Sequence, residues 1–314
     1  MKTISYKDIS RIANVSISTI SRYYNNGYVS KKTKQKIEDV IERYEYFPNH
    51  GARLIRGRDN SIFIVMPDWP QNSYATIANG IVQAAKSHGK KVNITFTETT
   101  TREYIESIRY LLSWRPTSMV LFVPEYNEEL FDYLRTIEDT SIVIFGHEVK
   151  GLNWIKTDDT NAFYVLTKSF HSSIKDNQKM LFVVDKKLND TLIEDRKSGF
   201  INACHELGIE FDFYYLESKT KKVISEFIRY TKKENISNII CSTHEVFIAL
   251  SVLGDKGLRL TDIGYQSVYD YIQTYKAKIF IDYAYIGIEI EKMILINSSE
   301  GKLQSKLIRA KIIK

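Results

Sequence analysis

The sequence predicts an α/β protein: an all-α helix-turn-helix headpiece followed by a larger α/β core built in two sets. Two observations carry this reading. The N-terminal stretch has apolar residues at helical spacing with capping residues ahead of them. From Ser61 onward, short β-rich runs alternate with longer helical ones, the pattern of βαβ units and parallel sheets.

In the headpiece, Ser5-Tyr6-Lys7-Asp8 reads as a capping box, a serine with an acid three residues on. Ile9, Ile12 and Ala13 follow on one helical face. The chain breaks at Asn14-Val15, and Ser16 caps a second helix running from Ile17 to Tyr23. Val15 and Ile20 hold the two helices together, which leaves Ile17, Ser18 and Arg22 pointing outward. That is the disposition of a recognition helix in the major groove. A third helix ends near Tyr44, and Pro48 stops simple continuation. Residues 49–57 (NHGARLIRG) form a basic segment too short to hold a helix alone in water.

The first set of the core runs strand 61–65, helix 75–88, strand 92–96, helix 104–114, strand 119–123, helix 128–137 and strand 141–145. The second runs strand 154–157, helix 162–174, strand 180–184, helix 192–207, strand 213–216, helix 223–233, strand 238–241, helix 245–256 and a short strand near Ile263. Two sets of similar size imply two lobes and a cleft between them, with ligand beyond the carboxyl ends of strands. Residues 302–314 alternate apolar and basic positions and read as one last strand. No leucine heptad follows it, so nothing supports a tetramer-forming coiled coil. The domain boundaries expected are a headpiece over 1–48, a hinge over 49–60 and the core over 61–314.

Charge points the same way as the headpiece pattern. Residues 1–58 hold twelve Lys or Arg against five acids, a surplus of seven, while the whole chain carries +6. The positive excess therefore sits at one end of the molecule, on an almost neutral body, as phosphate neutralisation by that end requires. A basic membrane-binding face is the rival, and the helices lack the broad apolar face it needs. The apolar runs are too short to cross a bilayer, and the polar start MKTISYKDIS lacks a signal-peptide core. Two cysteines, Cys204 and Cys241, make no disulfide framework and fit a reducing cytosol. A soluble, cytoplasmic protein is expected.

The strings YKDISRIANVSISTISRYYN, VSKKTKQKIEDVIERYEYFPN and GARLIRGR closely resemble the LacI (lactose-repressor) family of bacterial transcription regulators. The matching positions are Asp8, Ala13-Asn14-Val15-Ser16, Thr19-Ile20-Ser21-Arg22, Asn25, Val29-Ser30-Lys31-Lys32-Thr33 and Tyr46-Phe47-Pro48-Asn49. The resemblance implies a core like the periplasmic sugar-binding proteins, with chain crossings near 145–160 and 278–284. It implies DNA contacts from Ser5, Ser16, Ile17, Ser18, Thr19, Ser21, Arg22, Asn25, Ser30 and Asn49. Hinge contacts would come from Ala52, Arg53, Ile55 and Arg56, with Ile55 at the position of the family's minor-groove leucine. It also implies a homodimer on a pseudo-palindromic operator, gated by a small sugar or sugar-phosphate effector.

Enzyme signatures are missing. His147-Glu148, His205-Glu206 and His244-Glu245 each lack the second histidine of a zinc-protease helix. The sequence has no nucleophile elbow, dinucleotide fingerprint or phosphate-binding loop. No enzyme, metal or cofactor is expected. A sugar-metabolising enzyme with a DNA-binding head is the rival from another class, and a global regulator gated by a protein corepressor is the second.

For the effector site, Arg196-Lys197-Ser198-Gly199-Phe200 resembles the family's Arg-x-x-Gly-Phe, whose arginine bonds ligand hydroxyls. Arg196 is either that contact or half of a surface ion pair with Glu194 or Asp195. Asp68, Trp69, Ser73 and Tyr74 occupy the segment lining the cleft entrance, where the aromatics either stack on a sugar or pack between lobes. Asp158, in the pair Asp158-Asp159, is either a helix cap or a ligand hydrogen-bonder, and His147 joins the candidates. Thr243 and Gln266 replace the family's Asn-Asp and Gly-Phe-Asp-Asp carboxylates and amide with other neutral groups, so the ligand class stays open between a sugar and its phosphate.

Overall fold

The structure, a computed structural model, describes residues 6–24, 27–44, 59–68, 72–174, 178–264 and 275–314. They fall into two compact units, Met1–Asp59 and Asn60–Lys314.

The described residues of the first unit form three helices: α1 (Tyr6–Ala13), α2 (Ile17–Tyr24) and α3 (Lys31–Arg43). Their shared core is small: Ile9 and Ala13 from α1, Ile20 from α2, Ile37 and Val40 from α3, with Val15 packed against it. Asn14 takes a positive φ of 51° between the first two helices, a conformation asparagine tolerates better than most residues. The Val15 amide donates back to the Ser10 carbonyl at 3.0 Å, and the Ser10 hydroxyl donates to the Val15 carbonyl at 2.6 Å. This closes the turn at the break expected from sequence.

The second unit holds two six-stranded sheets. The first has the order β11-β5-β4-β3-β1-β2, from β1 (Asp59–Pro67), β2 (Val92–Thr97), β3 (Pro116–Phe122), β4 (Ser141–Phe145), β5 (Asn153–Thr157) and β11 (Ser305–Ile308). The second has the order β12-β10-β9-β8-β6-β7, from β6 (Met180–Asp185), β7 (Phe211–Leu216), β8 (Asn238–Cys241), β9 (Arg259–Gly264), β10 (Ala277–Phe280) and β12 (Lys311–Ile313). Helices α4 (Asn72–Ser87), α5 (Thr101–Leu112), α6 (Glu128–Arg135) and α11 (Tyr283–Glu300) flank the first sheet. The second is flanked by α7 (Asp159–Ile174), α8 (Asp190–Leu207), α9 (Lys221–Lys233) and α10 (His244–Leu253). Strands covered on both faces read as unbroken apolar runs, and β4 and β6 are buried throughout.

Six core helices begin one to three residues before the expected starts, because the caps lie outside the apolar pattern, while α6 begins at Glu128 as expected. Thr100, Asn189, Thr220 and Thr243 each accept an amide hydrogen from the residue three positions on. Two helix pairs pack backbone to backbone. A Cβ on Gly287 of α11 would lie 2.2 Å from the Ile77 carbonyl oxygen, and one on Gly199 of α8 would lie 2.1 Å from that of Thr160. Only glycine allows approaches this close.

Three corrections to the sequence expectations concern the end of the chain. Residues 302–314 make two strands, not one: β11 joins β5 in the first sheet and β12 pairs antiparallel with β10 in the second. The chain therefore crosses between lobes at 157–159, at 280–283 and also at 308–311, where only the first two were expected. Helix α11 and strand β10 had no counterpart in the sequence reading. The run Ile286-Gly287-Ile288-Glu289-Ile290-Glu291 alternates apolar and polar residues like a strand. It is helical because α11 is buried on several sides, with Ile286, Gly287, Glu289, Ile290 and Glu291 all inside. The strand β1 starts at Asp59, two residues inside the segment expected to be hinge.

Candidate DNA-reading face and effector cleft

The outward side of α2 is polar and accessible. Ile17 is 40% exposed though apolar, and Ser18 and Arg22 are exposed beside it, while Ile20 on the opposite side is fully buried. An exposed isoleucine at the start of a short helix adds nothing to the three-helix core. Ser16 caps α2, its hydroxyl accepting from the Thr19 amide at 3.1 Å and lying 2.7 Å from the hydroxyls of both Ser18 and Thr19. Ser21 is half-buried. Ser30 caps α3 through the Thr33 amide at 3.3 Å. Ser16 and Ser30 thus hold helix starts and remain exposed. Ser5, Asn25, Asn49, Ala52, Arg53, Ile55 and Arg56 lie outside the described residues, as do Trp69 and Gln266.

In the second unit a cleft lies between the two lobes, at the carboxyl ends of the strands. From the first lobe it is lined by Ser73, Tyr74, His147, Lys156 and Thr157. From the second it is lined by Asp159, Asn189, Thr191, Asp195 and Arg196, with Tyr283 at a crossing. Of the nine effector candidates, Ser73, Tyr74, His147 and Arg196 line it. Asp68, Asp158 and Thr243 do not.

Arg196 sits in neither of the surface pairs considered from sequence. Glu194 pairs with Lys197 and Asp195 with Lys156. The arginine is only 9% exposed, donating from Nε to Asp159 Oδ1 at 2.8 Å and from Nη1 to the Ser242 carbonyl at 2.6 Å. Its guanidinium also lies 5.5 Å from the Phe163 ring centre. Asp159, itself 2% exposed, accepts a further hydrogen from the Thr157 hydroxyl. The carboxylate facing the cleft is thus Asp159. Asp158 turns back to accept from the Asn161 amide at 3.1 Å, which caps α7. Thr243 is drawn away by capping α10 and donating to Asp185 at 3.1 Å.

The floor is aromatic. Tyr74 packs against Phe122 and Phe145 with ring centres 4.9 and 5.8 Å apart, so it is anchored in the first lobe's core and not free to swing onto a ligand. Burial pushes the phenols of Tyr74 and Tyr283 well above their usual range, so both stay protonated donors. His147 Nε2 lies 2.9 Å from the Val123 carbonyl, and burial holds its ring below the usual imidazole range despite that bond. The cleft therefore presents a neutral imidazole, two hydroxyl-bearing aromatics, small hydroxyls, an amide and two paired cations. Lys156, Asn189, Thr191 and Tyr283 carry no signal as cleft residues in the sequence, while Asp159 is read there only as the neighbour of Asp158 and Asp195 only as a possible partner of Arg196. Asn189 and Thr191 were findable as a helix start after a strand, whereas Tyr283 depends on the unforeseen α11.

Among the described residues no group of three His, Cys, Asp or Glu is placed to hold a metal, and no helix is long and apolar enough to cross a membrane. Burial pushes the Cys204 thiol up to about 12, which makes it a poor nucleophile.

Residues 5–49 match the family described as bacterial regulatory proteins, lacI family. Along most of its length the chain is 25% identical to the HTH-type transcriptional regulator RegA of Clostridium saccharobutylicum, over 267 residues covering 82% of this chain and 79% of RegA. It is 23% identical to the HTH-type transcriptional repressor PurR of Histophilus somni, covering 84% and 82%. Among solved structures, the lac repressor dimer bound to operator and the anti-inducer ONPF superposes with a TM-score of 0.82 at 17% identity, over 100% of this chain and 98% of that one.

Proposed function

We propose that this chain, a LacI-family DNA-binding transcription regulator, represses a carbohydrate-utilisation operon as a homodimer and is released by a small uncharged sugar. The observation that carries the DNA-reading half is the accessible Ile17-Ser18-Arg22 face on α2 within a module holding the chain's whole positive excess. Two-fold symmetry of a dimer suits two operator half-sites. Exposed apolar residues at an edge strand, Ile94 and Phe96 of β2, and at the end of α10, Val252 and Leu253, are candidates for burial between protomers. Residues 49–58 serve as the hinge, with Ile55 as the apolar wedge in the minor groove between Arg53 and Arg56.

Charge pairing in the cleft supports the ligand class. Arg196 is neutralised by Asp159, and Lys156 by Asp195 and Glu148 at 3.5 and 3.7 Å. A phosphate entering the cleft would have to displace a carboxylate, whereas hydroxyls can share the existing donors and acceptors. This favours the sugar over its phosphate.

Electrophoretic mobility shift at increasing salt, using DNA from the gene's own upstream region, tests the reading. The full chain binds with an affinity falling steeply with ionic strength, and a fragment starting at Asn60 does not bind. Equal binding by that fragment would overturn the assignment. Release of the DNA by a neutral sugar, but not by its phosphate, tests the effector half.

A further inference from the structure

Two polar bridges join the lobes across the cleft mouth. On one side Glu125, in the loop after β3, reaches the start of α8. Its Oε1 accepts from the Asp190 amide at 3.2 Å and its Oε2 from the Thr191 hydroxyl at 3.3 Å. The amides at the start of a helix have no partner within it, and the helix dipole favours a negative charge there. Asn189 of the same lobe serves the Leu192 amide at 2.8 Å, so the carboxylate that serves Asp190 comes from the opposite lobe. On the other side Lys156, on β5 of the first lobe, reaches Asp195 on α8 of the second at 3.5 Å. Lys156 also keeps Glu148 of its own lobe at 3.7 Å, which holds the ammonium at the mouth.

We propose that Glu125 with Asp190 and Thr191, and Lys156 with Asp195, form a clasp that holds the lobes closed without ligand. The proposal rests on reading the cleft as the effector site, yet lobe closure is measured with no ligand present, so the two fail separately. The lobes are joined by chain crossings at 157–159, 280–283 and 308–311, narrow strand ends that leave rotation possible. The bridges stay partly wet, Lys156 and Asp195 being 21% and 31% exposed, so each contributes little and the closed state is only modestly favoured. A modest bias is what a switch requires, since a ligand shifts an equilibrium only by its differential affinity for the two states. Thr191, Asp195 and Lys156 also line the cleft, so ligand hydroxyls meet the clasp itself.

The test uses the full chain with cysteines introduced at Glu129 on α6 and Lys222 on α9, both exposed and in opposite lobes. The native Cys204 and Cys241 are buried and do not compete for label. Single-molecule energy transfer between the labels reports the closed and open populations. Lys156→Met, Asp195→Asn and Glu125→Gln should each lower the closed-to-open ratio about two- to five-fold. Combining Lys156→Met with Asp195→Asn should add almost nothing to either alone, because one bridge is lost in both. Raising salt to 1 M should lower the ratio in the unaltered protein, since screening then acts over about 3 Å. Unchanged populations in the single variants, additive losses in the pair, or indifference to salt would each overturn the clasp.

Discussion

Arg196→Ala removes the most heavily engaged side chain of the cleft, and its effect is larger than loss of a ligand contact. The guanidinium is 9% exposed and its main partner, Asp159, is 2% exposed. Truncation leaves a buried carboxylate holding only the Thr157 hydroxyl and an orphaned Ser242 carbonyl. Breaking a buried pair by deleting one member costs about 3–5 kcal/mol, because the remaining charge stays desolvated without compensation. Removing the charge as well should restore much of this: Arg196→Ala with Asp159→Asn is expected to be more stable than Arg196→Ala alone. Guanidinium unfolding of the full chain, followed by circular dichroism, measures both against the parent. Operator affinity measured well below the unfolding midpoint should be unchanged, while the response to sugar is lost in both variants. A single-variant cost under about 1 kcal/mol, or a double variant no better than the single one, would refute the structural role assigned to the pair.

Other predictions follow from the same geometry. Gly287→Ala places a methyl 2.2 Å from the Ile77 carbonyl oxygen and 2.6 Å from the Ile81 amide, so α4 and α11 must part. The expected loss is about 1–3 kcal/mol in thermal or chemical unfolding, whereas alanine at Gly89, where nothing lies within 4 Å, meets only its own backbone strain. His147 has a folded-state pKa below its unfolded value, so the unfolded chain binds the proton more readily. Its contribution is present above the unfolded value of about 6.5 and is lost as pH falls below it, and His147→Gln should flatten that part of the stability profile. Arg22→Ala should weaken operator binding by about 1–3 kcal/mol, while exchanges at Ile17 and Ser18 should change which operator is preferred.

The headpiece was legible because its signals are local. Capping serines, a helical apolar face and an odd outward isoleucine all lie within a few residues of one another, and charge segregated to one end confirmed them. The alternation of the core was legible for the same reason, since each βα unit carries its own periodicity. Long-range packing was not. Helix α11 looks like a strand because its buried glutamates are accommodated by partners far away in sequence, Lys306 with Glu289 and His88 with Glu291. The split of the C-terminus into β11 and β12 depends on which sheet edge each half meets. In the cleft, family spacing pointed to Arg196 and the paired carboxylates at a strand end pointed to Asp158-Asp159, yet only the fold distinguishes the cap from the residue facing the cleft. Lys156 and Asp195 gave no signal, because a bridge between residues 39 positions apart has no sequence pattern.

The central claim is that the face of α2 reads a two-fold operator, and selection from a random DNA pool with the full chain tests it most directly. The account predicts enrichment of a pseudo-palindrome with two half-sites, and a changed half-site when Ile17 and Ser18 are exchanged. Enrichment without sequence preference, or the same preferred site after exchanging Ile17 and Ser18, would contradict it.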